Sequence, residues 1–276
     1  MLLSKLEKPL VSVNWLCQNL DAKNLIVLDA TIPKATELDV IAYKEIIPTA
    51  LFFNLKQKFS NVSAPFPTTF PELKQFQHEA QKLGINQDSL IVVYDDKGVY
   101  SSPRVWWLFK AFGFDNVAVL DGGLPAWKKA GFQVSNNYET LKTAGNFKAK
   151  KPQEQMVFFK DMQQHVKTNQ RLVVDARSEA RFRCMVDEPR VGLRRGTIPN
   201  SVNIPFENLL NSGVMKSEAE LQTIFSKIAK PNDALTFSCG SGITACVLAL
   251  AATLLGYQNL TVYDGSWTEW GSLIPE

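Results

Sequence analysis

The stretch Asp233–Gly256, DALTFSCGSGITACVLALAATLLG, predicts a strand, a tight loop and a helix in succession. A short apolar run closes on Cys239. Gly240 and Gly242 follow, and from Thr244 apolar residues run almost unbroken to Gly256. A short apolar run bounded by turn residues suits a buried strand. A glycine just past a helix suits a left-handed C-terminal cap. The same pattern stands earlier in the chain as Ser89–Gly113, SLIVVYDDKGVYSSPRVWWLFKAFG, with Asp95 where the later copy has Cys239.

The repetition extends on both sides. Leu25–Asp29 (LIVLD) is echoed by Leu172–Arg177 (LVVDAR), each an apolar run reaching an aspartate at a polar strand edge. Ile47–Asn54 (IPTALFFN) is echoed by Ile198–Pro205 (IPNSVNIP), and Val117–Trp127 (VAVLDGGLPAW) by Leu260–Trp270 (LTVYDGSWTEW). Strand and helix alternating through short connections imply an α/β domain with a mostly parallel sheet. Recurrence in the same order implies two of them. Residues 136–152, NNYETLKTAGNFKAKKP, lack periodicity and are rich in lysine and polar residues, as a linker is. The expected domains are therefore 1–135 and 153–276, joined by 136–152.

Composition narrows the function class. The 276 residues are 45% hydrophobic and 21% charged, ordinary values for a globular chain. A formal charge of +3 makes no case for nucleic acid or an anionic membrane. The four cysteines, Cys17, Cys184, Cys239 and Cys246, form no Cys-x-x-Cys pair, and with only His78 and His165 no zinc spacing emerges. Scattered cysteines suit reduced thiols in a cytoplasmic protein. The opening MLLSKLEKPLVSVNWL carries charges and no sustained apolar core, unlike a secretory signal. No apolar run approaches the ~18 residues of a membrane span.

The chemistry concentrates in Cys239-Gly-Ser-Gly-Ile-Thr-Ala245. This loop falls at the carboxyl edge of a parallel strand, where open α/β sheets place ligands. Its glycines let the backbone curl with N–H groups inward, and the next helix directs its positive dipole end to the same space. Both favour a thiolate, the nucleophilic form of cysteine, or an anionic persulfide. A cysteine between a strand and a Gly-x-Gly loop fits a nucleophile better than inert packing. Cys246, two residues further with apolar neighbours, and Cys17, after Trp15-Leu16, fit packing; Cys184, in a charged loop, is open to either reading.

The loop resembles the active-site loop of the two-domain rhodanese family, in its 3-mercaptopyruvate sulfurtransferase branch. The resemblance covers nearly the whole chain and includes Arg181-Phe-Arg183, Asp187-Glu-Pro-Arg190, Gly192-Leu-Arg-Arg-Gly196, Ile198-Pro199 and Asp264–Gly271. Aspartate in place of cysteine in the first domain, here Asp95, is also a family trait. The resemblance implies two tandem rhodanese-like domains, each a mostly parallel sheet flanked by helices, with the C-terminal one catalytic. Cysteine phosphatases of this fold need arginine six residues after the cysteine; here that position is Ala245, and the loop is one residue shorter. Thiosulfate-using members typically carry cations within the loop, whereas Gly240 and Ser241 are neutral, which favours a carboxylate donor.

A 2-oxo acid needs a cation for its carboxylate and donors for its ketone, both suited to arginine. The resemblance assigns substrate binding to Arg181 and Arg190 and to the loop residues Gly240, Gly242, Ile243 and Thr244. Arg183, Arg194 and Arg195 fit surface ion pairs instead. Ser241 matches a serine proposed to polarise the substrate, in some accounts through a relay with a first-domain histidine. Ile46 stands where that histidine is expected, and His78 and His165 do not match, so Ser241 is left to act alone or through water. Thr244 is expected to cap the following helix and donate to the loop. Trp106, Trp107, Trp127, Trp267 and Trp270 suit core or interdomain packing, or a cleft wall. The implied reaction moves sulfur from a small-molecule donor through a Cys239 persulfide to an acceptor thiol, thioredoxin among the candidates, or to cyanide, with no metal or organic cofactor. Thiosulfate sulfurtransfer and a non-catalytic sulfur-carrier or interaction role are the alternatives.

Overall fold

The structure, a computed structural model, describes residues 2–33, 44–140, 143–151 and 154–275. The chain forms two compact units. One comprises Met1–Asn61, Phe70–Gln153 and Ser212–Val214; the other comprises Val62–Thr69, Glu154–Asn211 and Met215–Glu276. Along the first half run β1 (Leu10–Val11), α1 (Val13–Asn19), β2 (Leu25–Asp29), β3 (Leu51–Phe52), α2 (Leu73–Lys82), β4 (Leu90–Tyr94), α3 (Ser102–Ala111), β5 (Val117–Leu120) and α4 (Gly123–Lys129). The second half continues with β6 (Met156–Val157), α5 (Phe159–Thr168), β7 (Leu172–Asp175), α6 (Glu179–Phe182), β8 (Ser201–Asn203), a 3-10 turn at Phe206–Leu209, β9 (Leu210–Asn211), β10 (Val214–Met215), α7 (Glu218–Phe225), β11 (Leu235–Ser238), α8 (Ala245–Leu254), β12 (Leu260–Tyr263) and α9 (Ser266–Leu273).

The duplication read from the sequence is a duplication of topology. The two five-stranded sheets run β1-β5-β4-β2-β3 and β6-β12-β11-β7-β8, the same order position by position. Their strand pairs are parallel. Both central strands are buried along their full length, as a parallel sheet covered on both faces requires. The two-residue edge strands β1 and β6 are too short to show in hydrophobic periodicity. Helix α8 is apolar on all sides and buried from Ala245 to Ala252, so it is a core helix. The glycines expected to end α3 and α8 do so in the left-handed region, Gly113 at φ +75° and Gly256 at φ +80°. Trp106, Trp107, Trp127, Trp267 and Trp270 are all core residues.

The strand-end aspartates are not solvated edges. Asp29 is buried, accepts the Tyr138 hydroxyl at 2.8 Å and pairs with Lys44 at 3.0 Å. Asp175 is buried against Arg177. In the 136–152 stretch, residues 141, 142 and 152 lie outside the described residues. Of the others, Phe147 is fully buried, its N–H donates to the Ile85 carbonyl at 3.0 Å, and the Lys150 N–H donates to Phe112 at 2.9 Å. Phe147 packs edge-on against Phe76, Phe109 and Phe114, although the stretch around it is polar in overall composition.

The strand-to-helix loop after β4 is filled from within. One Asp95 carboxylate oxygen accepts the N–H groups of Tyr100, Ser101 and Ser102 at 3.0, 2.9 and 2.9 Å, and the Ser102 hydroxyl at 2.7 Å. The other accepts the Lys97 N–H at 3.0 Å. Burial pushes the Asp95 carboxyl up, against the pull of those donors. Asp95→Ala would strand the buried N–H groups of Ser101 and Ser102 without an acceptor. A loss of about 3 kcal/mol is expected, read as a lower urea midpoint for the first unit. An unchanged midpoint would show that the carboxylate does not hold this loop.

Candidate active site

Strand β11 ends at Ser238 and delivers Cys239 to the carboxyl edge of the second sheet, 2% exposed. The loop that follows is clamped by the turn into α9. The Cys239 N–H donates to the Ser266 hydroxyl oxygen at 3.1 Å, and that hydroxyl donates to the Tyr263 carbonyl at 2.9 Å. The N–H groups of Trp267 and Thr268 donate to the Cys239 and Gly240 carbonyls, each at 2.9 Å, and the Thr268 hydroxyl also donates to Gly240. Ser266 has φ +51°, a strained conformation for a non-glycine residue that its two hydrogen bonds retain. Residues 266–268 thus fix the peptides on either side of the nucleophile. The repeated Asp-Gly turn drew attention to this segment, but nothing in its sequence announced the clamp.

Gly242, at φ +74°, makes the tight curl for which the glycine was expected. The expectation for Thr244 is corrected. It occupies the position before α8, yet its side chain makes no capping hydrogen bond. Its backbone is already helical, so the turn closes on the main chain: Cys246 N–H donates to Ile243 at 3.1 Å and Val247 N–H to Thr244 at 3.0 Å. Ile243 and Cys246 are buried, and the Cys246 thiol leans on the Gly242 carbonyl at 3.4 Å. Ser241 is half-buried, and its carbonyl accepts the Thr68 hydroxyl at 2.8 Å.

The structure brings Arg181 and Arg190 to this loop. A Cβ placed on Gly240 would lie 3.1 Å from Nη2 of Arg181 and 3.6 Å from Nη1 of Arg190. Two guanidinium groups therefore stand beside the residue next to Cys239, and a side chain there would crowd them. Arg181 is aimed from behind. Its Nε donates to Glu188 at 3.2 Å and its Nη2 to the other oxygen of the same carboxylate. Glu188 is shared with Arg177 at 2.7 Å, and Arg177 holds Asp175 through Nε and Nη2, the latter at 2.7 Å. Burial works against the Arg177 charge, but Asp175 and Glu188 outweigh it and hold its pKa above the ordinary value. Glu188 is itself buried and supports both Arg177 and Arg181. The surface reading holds for Arg183, paired with Glu179 at 2.7 Å, and for Arg195, paired with Asp187 at 2.9 Å. It fails for Arg194, which stacks on Trp267 at 4.8 Å and donates to the Ile274 carbonyl.

Cys184 is exposed, at φ +58°, with its carbonyl accepting from Arg195. Cys17 is half-buried at the edge of the first unit's core. Ile46 is a buried core residue of the first unit whose backbone pairs with Ser135, so this position offers no side chain for proton relay.

A strand-end cysteine in a clamped loop, with two arginines beside the next residue and an aspartate-filled copy in the first half, is the arrangement of a rhodanese-like domain. The chain belongs to the rhodanese family: the rhodanese-like domain model matches residues 12–130 and again 158–273. It is 35% identical over 267 residues to the 3-mercaptopyruvate sulfurtransferase of Escherichia coli K12, covering 95% of this chain and 94% of that protein. It is 37% identical over 278 residues to the thiosulfate sulfurtransferase of Gallus gallus, covering 96% and 94%. The crystal structure of the Escherichia coli 3-mercaptopyruvate enzyme superposes with a TM-score of 0.85 at 32% identity, covering 94% of this chain and 99% of that one.

Arg177→Leu would leave Asp175 and Glu188 buried without their shared cation. A loss of about 3–5 kcal/mol in the second unit is expected, measured by denaturant unfolding. Wild-type stability in that variant would remove Arg177 from its supporting role.

Proposed function

We propose that this protein is a sulfurtransferase that takes sulfur from 3-mercaptopyruvate onto Cys239 and passes it to a thiol or to cyanide. The observation that carries this reading is the pair of guanidinium groups, Arg181 and Arg190, beside Gly240 and next to the buried nucleophile. A 2-oxo acid presents a carboxylate and a ketone oxygen, two acceptors that a pair of arginines can satisfy.

The Cys239 thiolate attacks the substrate sulfur. The new S–S bond forms as the substrate C–S bond breaks, and its electron pair leaves on carbon as the enolate of pyruvate. Arg181 and Arg190 stabilise the charge that develops on the enolate oxygen, and Ser241 assists as a further donor. Protonation at carbon completes pyruvate. The Cys239 persulfide is then held in the loop formed by Gly240, Gly242, Ile243 and Thr244. An acceptor thiolate attacks its outer sulfur and Cys239 leaves as thiolate, a two-step exchange in which sulfur changes owner twice. A small thiol or a protein thiol such as thioredoxin is the proposed acceptor, and the four free cysteines support a reducing, cytoplasmic setting.

Thiosulfate is the second reading, supported by the similarity to a thiosulfate sulfurtransferase. Against it stands the loop itself: Gly240 and Ser241 are neutral, and a cationic side chain at Gly240 would meet the like charge of Arg181, whose Nη2 lies 3.1 Å from a Cβ built there. Steady-state pyruvate release from 3-mercaptopyruvate with a thiol acceptor, beside thiocyanate formation from thiosulfate and cyanide, separates the two. Cys239→Ser is expected to abolish both activities. Arg181→Lys and Arg190→Lys are each expected to lower kcat/KM for 3-mercaptopyruvate by about 10²-fold, because an ammonium cannot reproduce the two-pronged contact. Faster turnover of thiosulfate would overturn the donor assignment, and release of a single equivalent of pyruvate would make the protein a carrier instead.

A further inference from the structure

Thr68 stands far from the sulfur loop in sequence and against it in space. It lies in Val62–Thr69 (VSAPFPTT), a proline-stiffened segment that belongs to the same compact unit as the loop. Its hydroxyl proton is shared between the Pro67 carbonyl at 2.6 Å and the Ser241 carbonyl at 2.8 Å. Its backbone has φ +57°. A β-branched residue is among the least tolerant of that region, and such strain persists only where the surroundings impose it.

The peptide that Thr68 grips joins Ser241 to Gly242. A trans peptide sends its C=O and N–H to opposite sides, so a donor on the Ser241 carbonyl also sets the direction of the Gly242 N–H. Gly242, at φ +74°, is conformationally permissive, and the peptide before such a glycine can turn at low steric cost. Ser266, Trp267 and Thr268 hold the peptides around Cys239 and Gly240. Their hold stops one residue short of Ser241.

We propose that Thr68 is a positioning residue for sulfur transfer: its hydroxyl latches the Ser241–Gly242 peptide so that the Gly242 N–H serves the anion cradle around Cys239. This rests on the sulfurtransferase reading of Cys239, but the latch itself can be tested without any sulfur donor. A correctly set cradle favours the thiolate, and the thiolate alone is alkylated rapidly.

The test compares Thr68→Val, Thr68→Ser and Thr68→Gly in the full chain. The rate of Cys239 alkylation by iodoacetamide is followed by mass spectrometry of the Cys239 peptide, beside kcat and KM for pyruvate release and the melting temperature. Thr68→Val is expected to slow alkylation and to lower kcat by about tenfold or more, with KM changed less than about threefold, as loss of an interaction realised mainly in the transition state requires. Thr68→Ser, which keeps the hydroxyl, should stay within about threefold of wild type in both rates. Thr68→Gly relieves the strain, so it should melt no lower than wild type and still show the loss seen with valine. Wild-type alkylation and kcat in Thr68→Val would overturn the proposal, as would a serine variant as impaired as the valine one, or a glycine variant with wild-type rates. Slowed alkylation in a protein that releases no pyruvate would keep the latch and sink the donor assignment; pyruvate release by wild type, with alkylation indifferent to Thr68→Val, would do the reverse.

Discussion

A guanidinium enclosed by protein needs full charge compensation, because burial of an unpaired cation costs far more than one interaction returns. Arg177 meets that need with Asp175, Glu188 and the Gly196 carbonyl, and stacks on the Trp267 ring at 4.9 Å. Each of these contacts reaches part of the site. Glu188 aims Arg181 toward Gly240, while the Trp267 backbone N–H holds the Cys239 carbonyl. Arg181 and Cys239 are therefore both referred to one buried cation. Arginine suits the role because its planar fork can meet two carboxylates and a carbonyl while its face rests on an indole.

The two loops at the carboxyl ends of β4 and β11 show one backbone device in two states. After β4, a carboxylate from the chain itself occupies the donors. After β11, the equivalent position carries a thiol, and two arginines stand beside the next residue. Asp95 is the fixed anion of the first loop, whereas Cys239 is suited to hold an exchangeable one. The first copy thus carries its own carboxylate where the second carries a thiol, while the strand order of both sheets is the same.

Much of this was legible in order and spacing. Apolar runs closing on Asp95 and Cys239, glycines at the helix ends and the recurrent Asp-Gly turns are local signals, and local signals survive in a linear reading. Two-residue edge strands carry no period and were invisible. Thr244 looked like a cap because threonine before a helix usually is one; its backbone had already turned helical, which removes the geometry a capping side chain needs. Phe147 was hidden by the lysines around it, because composition averages over individual rings that dock.

What the sequence by itself determined is the tandem α/β architecture and the cysteine loop that sets the second repeat apart from the first, since both follow from hydrophobic pattern, glycine placement and the contrast between repeats. Tertiary structure decided which arginines serve the site and which residues hold the loop. Arg181 and Arg183 are two residues apart, yet one is paired with a buried glutamate and the other with an exposed one. Thr68 and Ser241 are 173 residues apart, yet they share a hydrogen bond. Burial and long-range contact depend on how distant segments pack, and no local pattern encodes them.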